Sequence, residues 1–402
     1  MKRLFIIGAS LLQLPAIRRA KELGYTVGVA DYDPTAVGIP YADAYYNVST
    51  NDPEGICEAS RAFGADGIMT LATDMPMRSV AYACQQLGLV GIDPATARRA
   101  TDKAEMIRAF EASGVACPWY RVVSAPADVF DIAHKITYPC ITKPTDSSGS
   151  RGIMLAHNPE ELVTAVAYSA ENGRGGEVIV EEYMQGDEVS VEAVVWQNEV
   201  HILRITDKLT TGAPRFVEMG HTQPSRLDAA TQDAICDLTC RAIHAVGIEN
   251  GPAHVEIMVT EQGPKMVELG ARMGGDCITT HLVPLSTGVD MIKATIDICM
   301  GQAPDLTPRW DRGAAIRYLQ VPCGLITAID GVDDARSVAG VQEIAFTARV
   351  GDYAGGIYSS ADRIGFVIAD GETAEAAEST CEKGIKHICV ITETEGETLC
   401  QT

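Results

Sequence analysis

Two glutamates twelve residues apart, Glu256 and Glu268, carry the clearest chemical potential in the chain. They lie in HVEIMVTEQGPKMVELGAR, residues 254–272, which reads as a strand, a short Gly-Pro turn and a second strand. Period-2 alternation puts His254, Glu256, Met258 and Thr260 on one face of the first strand, and Met266 and Glu268 on one face of the second. If the strands pair, the two carboxylates converge beside apolar Met258. Two carboxylates 4 Å apart repel by roughly 4 kcal/mol in an intermediate dielectric. A divalent cation reverses the sign of that interaction, and oxygen-only ligands suit Mg²⁺. The competing reading is a solvated hairpin with two surface glutamates.

Cationic groups recur upstream. Lys143 ends a strand in YPCITKPTDSSGSRGIML, residues 138–155, and is followed by SSGSRG. Such a loop can wrap backbone N–H groups around phosphate oxygens, although most Gly/Ser loops are only turns. It is not a P-loop, because GxxxxGK[ST] is absent. Lys103 sits in the first turn of a predicted helix, TDKAEMIRAFEASG, that Thr101 can cap and Gly114 can end. A cation there opposes the helix dipole, and a nearby anion would make sense of it. EVIVEEYMQGDEVSVEAVV, residues 177–195, reads as two strands around a corner at Tyr183–Asp187. Its free backbone groups suit the edge of a purine. Glu181, Glu182, Asp187 and Glu188 could accept bonds from an amino group or ribose hydroxyls. Residues 206–227 read as a long polar loop before a helix over roughly 228–246, with Lys208, Glu218 and His221 as its reactive members.

These groups need a scaffold, and the composition supplies one. The chain has 402 residues, 46% hydrophobic and 21% charged, which fits two to four packed domains and argues against disorder. The net charge of −22 makes nucleic acid and anionic membranes poor partners for the surface as a whole. Any anionic ligand therefore needs a local basic cluster. No stretch reaches about 18 uninterrupted apolar residues, so no membrane span is expected. The N-terminal MKRLFIIGASLLQLPAI is read as strand and helix rather than a signal peptide, since Gly8 interrupts its apolar run. Twelve scattered cysteines without a CxxC pair suggest reduced thiols and a cytoplasmic location.

Residues 1–98 alternate strand and helix, the pattern of a parallel sheet with helices on its faces. Gly8 and Asp31 hint at a dinucleotide site, but GASLLQ supplies one glycine of the GxGxxG fingerprint, and a plain structural α/β unit is the better reading. After GQAPDLTP the last ninety-odd residues read as short strands and one helix, a smaller α+β cap.

Taken in order, these segments resemble the ATP-grasp ligases over essentially the whole chain. The resemblance rests on DK at 102–103, ITKP followed by SSGSRG, VEEYMQGDEVSVE, HVEI and ELGAR. RFVEMGHTQPSR (215–226) and ELGARMGGDCITTHLVPLSTGVD (268–290) look most like the L-amino-acid ligase branch. The implied fold is α/β and α+β. A parallel-sheet pre-grasp domain spans 1–98, and an ATP-grasp domain spans 99–308. The latter divides into a small nucleotide-gripping subdomain at about 115–187 and a larger subdomain at about 188–308. A C-terminal lid takes 309–402.

The resemblance implies ATP with one or two Mg²⁺ ions, Mn²⁺ being a substitute. It implies that Lys103 and Lys143 contact phosphates, that the 147–152 loop with Ser147, Ser148 and Gly149 covers them, and that Glu181, Glu182, Tyr183 and Met184 form the adenine hinge. Glu188 would hold the ribose, Met258 would pack under the adenine, and Glu256 and Glu268 would carry the metal. Arg272 would steady the transferred phosphoryl. Asp74, Glu218, His221 and Gly275 would line the substrate site, with Arg317 beside them. Many ATP-grasp enzymes read E-x-N-x-R where this chain reads Glu268-Leu269-Gly270-Ala271-Arg272, so one oxygen ligand is missing.

The implied activity is ATP-dependent joining of a small carboxylic acid to an amine through an acyl phosphate, with release of ADP and phosphate. Related ligases are often dimers through the pre-grasp domain. Two alternatives stand beside it: a carboxylating or formylating ligase of the purine or biotin carboxylase type, and a non-catalytic nucleotide-binding relative.

Overall fold

A computed structural model describes residues 2–124, 128–147, 149, 151–394 and 397–400. The first sheet is parallel, with strands in the order Ala44–Tyr46, Thr26–Ala30, Arg3–Ile7, Gly67–Met69. Its apolar runs fit a sheet covered on both faces. Leu4 and Ile6 pack with Ile17 on one side, and Phe5 and Ile7 pack with Ile56 and Phe63 on the other. Above the first strand, Asp31 accepts from the Ala9 N–H at 2.8 Å. The Gln13 side chain occupies the space a Cβ on Gly8 would enter.

A four-stranded antiparallel sheet follows, in the order Tyr120–Val123, Val178–Glu182, Cys140–Pro144, Met154–Ala156. Helix Pro159–Glu171 covers it, and Asn158 caps that helix by accepting from the Glu161 N–H. The largest sheet has eight strands: Gly263–Gly270, Gly251–Thr260, Asp187–Trp196, Glu199–Thr210, Glu218–Gln223, Gly313–Tyr318, Gly365–Gly371 and Val341–Phe346. Its last three strands come from beyond residue 309, so the C-terminal segment extends the sheet that carries the Glu256–Glu268 hairpin. A further small sheet pairs Tyr353–Ala354, Gly324–Asp330, Cys389–Thr394 and Glu397–Cys400.

Three local expectations need correction. The polar stretch 206–227 is not one long loop: strands Glu199–Thr210 and Glu218–Gln223 occupy half of it and pair with each other. Polar side chains there face a cleft rather than solvent, which hides the strand period. The first turn of helix Lys103–Ala112 is capped by Asp102, not Thr101. Asp102 accepts from Ala104 and Glu105, while the Thr101 hydroxyl accepts from Arg78. Among the described cysteines ten are free, but Cys389 is disulfide-bonded, which departs from the expectation of uniformly reduced thiols. No helix among the described residues is long and apolar enough to cross a membrane.

Candidate functional site

The hairpin forms as expected and puts Glu256 directly opposite Glu268. A register shift after Glu256 pairs Ile257 with Met266 instead of the residue that strict alternation demands. Met266 is therefore in the hydrophobic core with Ile257, while Val267 and Glu268 both line the cleft. The expectation that Met266 and Glu268 share a face fails for this reason.

The cleft encloses about 940 Å³, counting solvent at its mouth, and its walls come from both antiparallel sheets. The smaller sheet and its connections supply Lys143, Gly149, Glu181, Glu182, Tyr183 and Met184. The larger supplies Glu188, Glu218, Glu256, Met258 and Glu268, with Arg272 just beyond its edge strand. The strand-to-strand corner after Glu182 carries the chain from one sheet to the other, which is why its residues stand where the two walls meet.

The carboxylates of the cleft each have a cationic partner, and three of them share one. Lys208 Nζ lies 2.6 Å from Glu188, 3.2 Å from Glu256 and 3.7 Å from Glu218, with a side chain only 2% exposed. Burial opposes its charge, but the carboxylates around it overcome that cost and raise its pKa well above the ordinary lysine value. Burial likewise opposes ionisation of Glu256, yet Lys208 and His254 hold it well below the usual carboxylate range. Lys103 Nζ lies 2.8 Å from Glu268 and donates to the Ser147 carbonyl at 2.6 Å. Lys143 Nζ lies 2.6 Å from Glu181. Lys265 reaches Glu182 at 3.1 Å. Arg272 holds Asp74 through two contacts, at 2.7 and 3.3 Å.

A cation fits this donor set in a restricted way. No group of three or more His, Cys, Asp or Glu side chains among the described residues is placed to hold a metal ion. Two facing carboxylates are present, and Mg²⁺ commonly takes one or two carboxylates and completes its shell with substrate phosphates and water. Gly270 explains the missing third protein ligand. A Cβ there would lie 3.0 Å from Asp74 Oδ1 and 3.2 Å from Arg272 Nε, so the Asp74–Arg272 pair fills the space of a longer side chain.

A second cluster adjoins the cleft at Glu218. Asp276, at φ 51°, accepts from Arg363 at 2.6 and 2.7 Å and lies 3.2 Å from His221 Nε2. Arg363 also donates to the Glu218 carbonyl at 3.0 Å and lies 3.8 Å over the Tyr318 ring. Burial opposes the Asp276 charge, but His221 and Arg363 hold its carboxyl far below the ordinary range. Gly275 sits beside Asp276 with open space where a side chain would be.

Of the residues expected at a site, twelve line the cleft: Lys143, Gly149, Glu181, Glu182, Tyr183, Met184, Glu188, Glu218, Glu256, Met258, Glu268 and Arg272. Lys103, Ser147 and Asp74 touch them or each other. Ser148 lies outside the described residues. Arg317 is misplaced in the expectation. It stands one residue on from Ile316, the register partner of His221, and so faces the other side of the sheet. There it bonds Thr222 and pairs with Glu378 at 2.6 Å. Sequence reasoning singled out Lys208 without a role, and it did not name Glu192, Asp276 or Arg363. For Glu192 strand alternation is the usable signal, since it shares the parity of Glu188 along the strand and faces His254. Arg363 is remote in sequence, and nothing local announced it.

The chain is similar to known proteins over most of its length. Residues 136–280 match the ATP-grasp domain family, and residues 317–393 match the L-amino acid ligase C-terminal domain 2. The uncharacterized protein y4rH of Sinorhizobium fredii is 29% identical over 333 residues, 82% of this chain and 68% of that protein. Alanine–anticapsin ligase of Bacillus subtilis is 26% identical over 329 residues, 74% of this chain and 67% of the ligase. The crystal structure of an L-amino acid ligase from Bacillus licheniformis superposes with a TM-score of 0.85 at 22% identity, covering 98% of this chain and 99% of that one, a likeness of fold.

Proposed function

The chain belongs to the ATP-grasp ligases and is most like their L-amino-acid ligase branch, and from that premise we propose that it joins a small carboxylic acid to an amine, forming a dipeptide-like amide at the expense of ATP. The observation that supports this reading is the pairing of Glu268 with Lys103 and of Glu256 with Lys208, beside a cleft of an otherwise acidic protein that Lys143 and Arg272 also line.

A carboxylate is a poor electrophile, and phosphorylation supplies the leaving group it lacks. The acid attacks the γ-phosphate, giving an acyl phosphate and ADP, and the amine then displaces phosphate from the acyl carbon. Glu256 and Glu268 would hold Mg²⁺, which when bound neutralises phosphate charge. Lys143, from the opposite wall, and Lys103, from the helix beside Glu268, would hold the triphosphate in line. Glu181 through Met184 offer the backbone corner for the adenine, with Met258 beneath it and Glu188 at the ribose. Arg272, fixed by Asp74 so that its guanidinium is preorganised, would stabilise the phosphoryl group in transfer. The 147–152 loop would exclude water, which otherwise hydrolyses the acyl phosphate. The His221–Asp276–Arg363–Glu218 cluster extends the site past the nucleotide cleft, which supports an acid larger than bicarbonate or formate.

The test is a phosphate-release screen over amino and hydroxy acids paired with amines. Release of ADP and phosphate that requires both an acid and an amine is expected. Equal turnover with neither present would sink the proposal, and incorporation of labelled bicarbonate would replace it with a carboxylase.

A further inference from the structure

The geometry points to His254, anchored by Glu192, as the positioning residue for the Glu256 carboxylate. This inference rests on the reading of Glu256 as a metal ligand. Glu192, His254 and Glu256 form a line across two neighbouring strands. His254 is the register partner of Glu192, and Glu256 follows two residues on along the same face. His254 Nδ1 lies 2.7 Å from Glu192 Oε1, and His254 Nε2 lies 3.3 Å from Glu256 Oε1. The ring therefore spans the two carboxylates, one nitrogen to each.

Three features mark this as a built device rather than incidental packing. Glu192 is fully buried, and its Oε2 has no hydrogen-bond partner. A carboxylate in that position is costly, and an apolar side chain would pack there at less expense. Gly274 crosses directly over the pair: a Cβ there would meet His254 Nδ1 at 2.7 Å and Glu192 Oε2 at 2.9 Å. Backbone shape thus clamps the imidazole that the hydrogen bond orients. Finally, the two oxygens of Glu256 are divided, Oε1 to His254 and Oε2 to Lys208. Lys208 is shared with Glu188 and Glu218, whereas the imidazole is held from behind by Glu192 alone. Groups that orient a metal ligand in this way typically change metal affinity about 10- to 100-fold when removed.

Paired substitutions separate positioning from core anchoring. His254→Gln places its amide where Nε2 stands, toward Glu256. His254→Asn places it where Nδ1 stands, toward Glu192. Mn²⁺ serves as the probe, titrated against the full-length protein with a non-hydrolysable ATP analogue and read by electron paramagnetic resonance. His254→Asn is expected to weaken Mn²⁺ binding about 10- to 100-fold, and His254→Gln to stay within about threefold of wild type. The Mg²⁺ concentration for half-maximal phosphate release should follow the same order. Equal loss in both variants, or wild-type affinity in His254→Asn, overturns the positioning role. Glu256→Gln is the control. If it binds Mn²⁺ as wild type does, the metal assignment falls and this inference with it. If it loses Mn²⁺ while His254→Asn does not, the inference alone falls.

Discussion

Glu256 and Glu268 stand opposite each other in register, yet each is neutralised from a different direction: Glu256 by Lys208 at 3.2 Å, Glu268 by Lys103 at 2.8 Å. The two lysines come from different parts of the chain, one from the sheet and one from a helix that packs beside it. Each member of the pair has a lysine beside it, which offsets their mutual repulsion. Glu268→Gln should therefore leave the protein folded, with a melting temperature within a few degrees of wild type, because its partner pair is partly solvated and worth about 1 kcal/mol or less. Phosphate release should fall by at least about 100-fold, the scale of losing one preorganised electrostatic group. Thermal melting and a coupled assay on one preparation check both halves. Normal turnover would refute the metal assignment.

Lys208 makes the opposite case. Its side chain is almost wholly buried among Glu188, Glu218 and Glu256. Lys208→Met leaves those carboxylates without their shared cation, and breaking a buried pair from one side costs about 3–5 kcal/mol. Urea unfolding should show a loss of that order. Excess Mg²⁺ with an ATP analogue should restore part of it, since bound cation stabilises the folded form by mass action. An unchanged midpoint would mean that water reaches these carboxylates and that the cleft floor is looser than its geometry indicates.

Acid sensitivity follows from Asp276. Its carboxyl is held far below the ordinary value of about 3.9 by His221 and Arg363, despite burial. A depressed carboxyl contributes stability that is fully present above the unfolded value and is lost as pH falls toward the folded one. Asp276→Asn lacks this contribution. The stability gap between wild type and variant should be widest at neutral pH, on the order of 3 kcal/mol, and should narrow as pH drops below about 4. Parallel denaturation curves at pH 7, 4 and 3 measure it. A gap independent of pH would show that the side chain acts through shape alone.

The contrast among these residues shows what was legible in the sequence. The hairpin glutamates, the lysine at the end of Cys140–Pro144 and the strand-to-strand corner were readable because a local period or a turn signal fixes their direction. Met266 was misassigned because one extra residue at the bulge reverses the period, and no turn residue marks it. The stretch around Lys208 and His221 reads as a loop because its strand faces are polar on the cleft side, so polarity there does not mark solvent. Asp276 and Arg363 meet from positions 87 residues apart, a pairing that no local pattern encodes. The continuity of the eight-stranded sheet past residue 309 belongs to the same class, since it depends on long-range strand order.

His221 and Arg317 come from neighbouring strands and are both nearly inaccessible, yet they face opposite sides of one sheet. That difference predicts opposite phenotypes. His221→Ala removes a contact to Asp276 beside Glu218 and should alter the KM for acid or amine several-fold, with little change in the KM for ATP, because the ring is not among the cleft's nucleotide-side residues. Arg317→Ala removes the pairing to Glu378 in helix Ala374–His387 and should lower stability without altering substrate preference. Steady-state kinetics with each substrate varied in turn, alongside thermal melting, distinguishes the two. A large ATP effect in His221→Ala would move that residue into the nucleotide site. A change of substrate preference in Arg317→Ala would mean that the far face of the sheet communicates with the cleft, for which its hydrogen bonds to His221 O and Thr222 offer a route.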